Sequence, residues 1–308
     1  MGNLKIAVIT PVSHLRGIRE LIDSKGISFY LETSNKDQVR ELLLRENINT
    51  IVCNPNQQSY KIDRDLLNNT KVNLINSCST GLNHIDLDYC KKYNIKIQCH
   101  KNDYELINQL PSTSELAFGL MLSLLRKIPD SNIHVKSGRW DYTKFMGRQI
   151  KDLNIGIIGY GRLGKMMDRF CKAFEANTFI YDPYVDVHQT TLEEMFKKCD
   201  VVSLHVHVNK ETKYMINKKL LGLVKNDSYL INTSRGEIVN EKDVVDALEN
   251  GNLSGYGTDV IEDEFNDWID SPIIDAMRRG LNIICTPHTG GMTIEGQTKA
   301  YKWSINKL

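Results

Sequence analysis

The stretch from Asn154 to Asp182, NIGIIGYGRLGKMMDRFCKAFEANTFIYD, constrains the fold of this chain more than any other. It opens on an apolar, β-branched run, Ile155-Gly156-Ile157-Ile158, with the length of a buried strand. Gly159-Tyr160-Gly161-Arg162-Leu163-Gly164 follows at once, and Leu163, Met166, Met167, Phe170 and Phe174 then recur at helical spacing. A second apolar strand, Thr178 to Tyr181, ends at Asp182. Strand, Gly-x-Gly-x-x-Gly, helix, strand and terminal acid in that order predict a dinucleotide-binding unit. The first glycine permits a tight turn, the second lets backbone approach a pyrophosphate, and the third lets helix pack on strand. The helix N-terminus offers free N–H groups and partial positive charge to the phosphates. A carboxylate at Asp182 accepts hydrogen bonds from a ribose and repels a 2′-phosphate, which favours NAD over NADP. Glycines alone would also serve an ordinary strand–helix turn; the ordered flanking elements carry the reading.

The remaining chain alternates in the same way. Lys5–Thr10, Ile27–Glu32, Thr50–Cys53, Val72–Ser77 and Ile95–Cys99 read as strands, with helical spacing over Lys36–Arg45. Past Asp182 the pattern runs helix (192–198), strand (201–206), helix (218–223), strand (229–232), helix (241–250), then strands at 254–259 and 282–286. Such alternation predicts an α/β fold with parallel sheets flanked by helices. Ser112–Lys127 is an apolar helix, behind Pro111 and with Ser/Thr cap candidates, whose all-round hydrophobicity suggests burial or a subunit interface. A polar connection through Trp140 and Phe145 leads from it to the glycine motif. The first unit has no glycine fingerprint. Its loops Asn54–Gln58 and Cys78–His84 follow strand C-terminal ends, where α/β sheets bind ligands.

Bulk properties exclude several classes. Lys plus Arg is 39 against 38 Asp plus Glu, a net of +1, so nothing points to nucleic acid or an anionic membrane. Seven cysteines without a C-x-x-C pair read as reduced thiols of a cytoplasmic protein, not a disulfide frame or zinc site. The longest apolar run, Leu116–Leu125, is too short to cross a bilayer, and the N-terminus lacks a signal-peptide h-region. No metal site is expected: His205 and His207 share one face of a predicted strand but lack further ligands.

Three polar side chains follow strands of the glycine-motif unit. Arg235, in Asn-Thr-Ser-Arg-Gly, can hold a carboxylate bidentately; the plain alternative is a loop arginine. Asp259 ends the next strand and Glu264 lies beyond it, within a contiguous acidic run that would otherwise be a solvated face. His288, in Cys-Thr-Pro-His-Thr-Gly-Gly, can exchange a proton near neutral pH, and a carboxylate partner would fix its tautomer. Together they suit hydride transfer at a carbonyl carbon, with the histidine serving the oxygen and the arginine a neighbouring carboxylate.

These residues stand in stretches that resemble the D-isomer-specific 2-hydroxyacid dehydrogenases, the family of D-lactate and 3-phosphoglycerate dehydrogenases and glyoxylate/hydroxypyruvate reductases. The stretches are STGLNHIDLD (79–88), TSELAFGLMLSLLRKI (113–128), SGRWD (137–141), NIGIIGYGRLGK (154–165), SLHVHVNKETKYMI (203–216), LINTSRGEIVNEKDVVDALENGNLSG (230–255), TDVIEDE (258–264) and TPHTGG (286–291). The resemblance implies two Rossmann-like domains, 1–105 plus 289–308 for substrate and 106–288 for NAD, with the active site in the interdomain cleft. It implies catalytic Arg235, Glu264 and His288, with substrate contacts from Thr80 and Gly81; Asn54 and Ser79 are expected to join them from the loops past strand C-terminal ends. Around the NAD it implies Thr113, Gly159, Gly161, Arg162, Leu163, Gly164, Asp182, His205, Val206, Thr212, Thr233, Ser234, Asp259 and Gly290. A homodimer through the Ser112–Lys127 helix and a small 2-oxo or 2-hydroxy acid as substrate complete the expectation.

Some positions depart from the family. Ile261 and Phe265 stand where Phe and Pro are usual, and His207 replaces a proline. The chain after His288 runs only to Leu308, so the usual C-terminal helix and its interdomain strap are expected to be curtailed. The rival reading is an NAD(H)-sensing binding protein, like the corepressors built on this fold. Formate enzymes of the fold carry glutamine where Glu264 stands, which argues against that chemistry.

Overall fold

The computed structural model describes residues 4–32, 35–55, 60–187, 190–264 and 268–308. The chain forms two units, Met1–Leu110 with Met292–Leu308, and Pro111–Gly291. Asn56, Gln57, Gln58 and Phe265, singled out from the sequence, lie outside the described residues.

The first unit holds a five-stranded sheet of β1 (Leu4–Val8), β2 (Gly26–Tyr30), β3 (Thr50–Cys53), β4 (Leu74–Ser77) and β5 (Lys96–Gln98). All pairings are parallel, in the order β2-β1-β3-β4-β5. Among the described residues four helices connect them, α1 (Ile18–Asp23), α2 (Lys36–Arg45), α3 (Arg64–Leu67) and α4 (Leu87–Lys92), and α5 (Tyr104–Ile107) follows β5. Helix α2 starts at a capping box, in which Asn35 and Gln38 each bond the other's backbone N–H, and it buries Val39, Leu42 and Leu43. Strand β3 is buried over its whole length, as a central parallel strand with helices on both faces must be.

The second unit begins with α6 (Ser112–Leu125) and α7 (Ile128–Lys136). It continues through β6 (Asn154–Ile158), α8 (Arg162–Ala173), β7 (Asn177–Tyr181), α9 (Leu192–Lys198), β8 (Val201–Leu204) and α10 (Lys218–Leu221). Strand β9 (Ser228–Asn232), α11 (Glu241–Glu249), β10 (Leu253–Thr258), α12 (Pro272–Arg278) and β11 (Ile283–Cys285) complete it. The six parallel strands are ordered β11-β10-β9-β8-β6-β7. The order reverses between β6 and β8, and ligands of open α/β sheets bind beyond the strand C-terminal ends at such a switch point. The glycine loop and His205 follow those two strands.

Two expectations are corrected. The polar connection after the apolar helix contains α7, which starts from Lys127 in the left-handed region with Pro129 in its first turn. Pro129 there reads as a stop for the preceding helix but is equally a start signal, since its missing N–H lies among the unpaired ones. The chain after His288 does hold a C-terminal helix: α13 (Ile294–Ile305), of 12 residues, belongs to the first unit. Its Tyr301 and Ile305 are fully buried with Ile6, Val8, Ile18 and Ile22. Asn76 Nδ2 donates to Ser304 O over 3.0 Å, tying α13 to β4.

Candidate active site

In the second unit, β6 leads straight into the glycine loop. Gly159 has φ +90°, and a Cβ there would lie 2.5 Å from His205 O. Gly164 packs so closely that a Cβ would stand 1.9 Å from Gly159 O. Gly161, the N-cap of α8, differs from both: a Cβ there would meet no protein atom within 4 Å. Two glycines thus satisfy the protein's own packing, while the middle one leaves backbone approachable at a helix N-terminus, which fits a pyrophosphate. Arg162 and Leu163 open α8, and Leu163 O accepts Ser114 Oγ at 3.0 Å, joining α6 to the loop. Burial lowers the pKa of the Arg162 guanidinium. Asp182 stands at the end of β7, where its Oδ2 accepts Tyr160 N at 2.7 Å and its Oδ1 accepts Tyr184 N at 3.0 Å.

Strand β8 stops at Leu204, so His205 and His207 lie on the following loop and do not share a strand face. His205 N donates to Ile158 O over 2.7 Å, and Val206 abuts Gly159. The His205 ring shares a 2.9 Å hydrogen bond between Nε2 and Ser203 Oγ. Burial pushes its pKa down to about 4, which keeps the imidazole neutral near pH 7. Thr212 Oγ1 donates to His207 O at 2.6 Å, closing the loop on itself.

After β9, buried Asn232 shapes the turn that presents Arg235. Its Nδ2 donates to Arg235 O at 2.9 Å and its Oδ1 accepts Ser234 N at 3.0 Å. Ser234 Oγ donates to Leu204 O at 2.8 Å, while the Thr233 hydroxyl is buried with no hydrogen-bond partner among the described residues. The half-buried Arg235 donates from Nη1 to Ser234 O at 2.6 Å. Gly236 touches the acidic loop directly, since a Cβ on it would lie 2.1 Å from Ile261 C.

The loop after β11 is held by Asp259, 1% exposed at the end of β10. Asp259 Oδ1 accepts Thr286 Oγ1 at 2.6 Å and Thr289 N at 2.7 Å, and Oδ2 accepts Gly290 N at 2.7 Å. Gly290 leaves no spare room there: a Cβ would sit 3.0 Å from Asp259 Oδ2 and 3.1 Å from Thr113 Cγ2. His288 lies in the middle of this grip at φ +54°, its N donating to Asp259 O over 2.9 Å. Its Nδ1 is 2.7 Å from Glu264 Oε1, with the two side chains 23% and 15% exposed. An ionised carboxylate only accepts, so opposite an ionised Glu264 it is Nδ1 that carries the proton. Among the described residues no group of three or more His, Cys, Asp or Glu is placed to hold a metal.

The expected substrate residues belong to the first unit. Ser79 Oγ donates to Gly81 O at 2.9 Å, Thr80 is exposed, and Asn54 is buried beside Tyr301. Tyr301 itself shares a 2.9 Å hydrogen bond with Thr10 Oγ1. Thr10, Asn54 and Tyr301 line a small cavity beyond β1 and β3, where the strand order of this sheet reverses. Sequence reasoning missed Tyr301, although Gln297, Ala300, Tyr301, Ser304 and Ile305 recur at helical spacing. In the neighbouring loop His84 is buried, its Nε2 3.3 Å from Ser77 Oγ, and burial pushes its pKa down to about 4.

Comparison with known proteins agrees with this arrangement. Residues 7–103 match the catalytic domain of D-isomer specific 2-hydroxyacid dehydrogenases, and residues 118–290 match the NAD binding domain of the same family. D-3-phosphoglycerate dehydrogenase of Bacillus subtilis is 32% identical over 253 residues, 78% of this chain and 46% of that protein. The chain therefore spans about half the length of that relative. Hydroxypyruvate reductase of Thermotoga maritima is 27% identical over 298 residues, 94% of this chain and 92% of that protein. D-lactate dehydrogenase of Aquifex aeolicus, solved with NAD and lactic acid, is 26% identical with a TM-score of 0.76, covering 98% of this chain and 93% of that one. The chain belongs to the D-isomer specific 2-hydroxyacid dehydrogenase family, and its second unit is that family's NAD-binding domain.

Proposed function

We propose that this protein is an NAD-dependent oxidoreductase interconverting a 2-oxo acid and a D-2-hydroxy acid. The observation that carries the reading is the 2.7 Å Glu264–His288 pair on the same unit as the glycine loop. Bound NAD would supply the hydride exchange at C2. His288 gives the C2 oxygen a proton from Nε2 in reduction and takes it back in oxidation, while Glu264 holds the tautomer. Arg235 holds the substrate carboxylate with its planar fork, and its charge stabilises the developing alkoxide. Asn54 and the Ser79–Gly81 loop contact the substrate in this reading, Thr80 and Gly81 by the family resemblance and Asn54 by its place on a loop past a strand C-terminal end. Relatives named hydroxypyruvate reductase and glyoxylate reductase favour a short 2-oxo acid.

The test follows NADH absorbance against glyoxylate, hydroxypyruvate, pyruvate, 2-oxoglutarate and phosphohydroxypyruvate. Turnover that disappears in His288→Ala supports the assignment, and Arg235→Lys should lower kcat/KM by about 100-fold. NADH binding without turnover on any 2-oxo acid would move the weight to a sensor of the corepressor type.

We also propose a homodimer. The sequence pointed to the 112–127 helix, but α6 buries Ala117, Leu120, Met121, Leu124 and Leu125 within its own unit. Exposed Ile133, Trp140, Tyr142 and Met146, on α7 and the segment after it, offer the face a second copy would cover. Sedimentation as a monomer would refute this. No described helix is long and apolar enough to cross a membrane, and the seven cysteines are free thiols, which supports a reducing, cytoplasmic setting.

A further inference from the structure

Glu241 is the first residue of α11 and is 6% exposed, and no role has been assigned to it above. An acid in the first turn of a helix ordinarily faces solvent and interacts with the helix N-terminus. This one turns inward. Its Oε1 accepts Glu262 N at 2.8 Å, and its Oε2 accepts Ser271 Oγ at 2.7 Å. Glu264 lies between those two anchor points in the chain. Burial is the largest influence on the Glu241 carboxyl and raises its pKa, opposed by the two donors it accepts from.

Other contacts converge on the same backbone. Gly236, next to Arg235, would place a Cβ 2.2 Å from Glu262 N, so the arginine loop and the acidic loop touch where Glu241 grips. The Tyr214 hydroxyl donates to the Glu262 side chain. Asp263 then adopts φ +54°, a conformation that side chains other than glycine rarely adopt, and the next residue is the one that meets His288. A strained residue persists only where its surroundings over-determine it.

We propose that Glu241 is a positioning residue for the acid–base pair, its one buried carboxylate holding the backbone at Glu262 and the hydroxyl of Ser271 so that Glu264 meets His288. The inference rests on the assignment of that pair as the acid–base machinery. Glu241 touches neither of the two, and it acts through the loop that carries Glu264 and through the Gly236 contact that sets Arg235 beside it. A displacement of about 1 Å in such a group lowers turnover by up to about 100-fold, because the proton donor must stay within hydrogen-bond reach.

The experiment reads the His288 tautomer by 15N NMR in the whole protein without substrate, alongside kcat and the KM for NADH. In the wild type Nδ1 should carry the proton, and Glu264→Gln defines the signature of a lost carboxylate. Glu241→Ala should move the tautomer toward that signature and lower kcat about tenfold or more, with the KM for NADH changed less than about twofold. Glu241→Gln, which keeps an acceptor for Glu262 N and a donor for a reoriented Ser271 hydroxyl, should restore the wild-type tautomer and most of kcat. Ser271→Ala, which releases one of the two Glu241 anchors together with the side-chain cap of α12, should give an intermediate tautomer shift, and it decides the matter if Glu241→Ala does not fold. A wild-type tautomer in both alanine variants overturns the proposal, even if both are less stable. A tautomer shift in a protein that turns over no 2-oxo acid would sink the dehydrogenase reading and leave the positioning role standing.

Discussion

Replacing Asp259 by asparagine tests whether one buried carboxylate holds the histidine loop. The substitution is nearly isosteric, so packing is kept and only hydrogen-bonding character changes. In the wild type Oδ1 accepts Thr286 Oγ1 and Thr289 N, while Oδ2 accepts Gly290 N. An amide has one acceptor oxygen. If that oxygen faces Thr286 and Thr289, the NH2 points at Gly290 N–H. If it is flipped, the NH2 points at Thr289 N–H, and only the Thr286 hydroxyl can turn to accommodate it. Either way one backbone donor loses its partner at a site 1% exposed. An unsatisfied buried donor costs about 1–3 kcal/mol, and the lost charge-assisted bonds add to it, so about 2–4 kcal/mol of stability should go. His288 hangs from the same loop at φ +54°, so kcat should fall by about 10- to 100-fold. Urea unfolding followed by tryptophan fluorescence reads the first quantity, and steady-state NADH oxidation on the best 2-oxo acid reads the second. Unfolding within about 0.5 kcal/mol of wild type together with unchanged kcat would refute the reasoning.

The glycine loop offers a paired test. Gly161→Ala meets no protein atom within 4 Å and should leave stability within about 0.5 kcal/mol while weakening NADH binding. Gly164→Ala drives a Cβ to 1.9 Å from Gly159 O and should destabilise by about 1–3 kcal/mol or more; thermal unfolding and NADH fluorescence titration of both variants separate the two roles. Burial holds His84 and His205 at a pKa of about 4, below the ordinary value for histidine, so the unfolded chain binds protons before the folded one does. Their contribution is fully present above about pH 6.5 and is lost as pH falls toward about 4. Each should remove about 2 kcal/mol between about pH 7.5 and about pH 5, a slope that His84→Gln or His205→Asn should flatten in urea titrations.

The parts of this architecture legible in the sequence are those that local sterics and periodicity dictate. The strand, three glycines and helix of 154–174 could be read because each glycine answers a constraint within a few residues of itself. The partner of His288 was harder, since Glu262, Asp263 and Glu264 are contiguous and nothing local distinguishes them; only the family resemblance pointed to Glu264. Helices α3, α5 and α1, of four to six residues, are too short to show a period and were not anticipated. Helix α13 was discounted on the short stretch from His288 to Leu308 alone, while the partners that bury it lie near the start of the sequence. Glu241 was not singled out from the sequence for a related reason: what makes it unusual is contact with Glu262 and Ser271, more than twenty positions away.

The return of α13 has a consequence for how the protein is made. Tyr301 meets Thr10 across 291 positions of sequence, whereas the whole second unit is one uninterrupted stretch, Pro111–Gly291. On the ribosome the second unit can close as soon as it emerges, but the first must wait, with Ile6, Val8, Ile18 and Ile22 uncovered, until α13 has emerged. Strands β1 and β2 are thus sealed only after the unit that follows them has been made, and long-range closure of this kind is slow. Pulse proteolysis of chains stalled at successive lengths should find Pro111–Gly291 protected before Leu4–Leu110. Simultaneous protection of both units before α13 has emerged would show that the early strands do not need it.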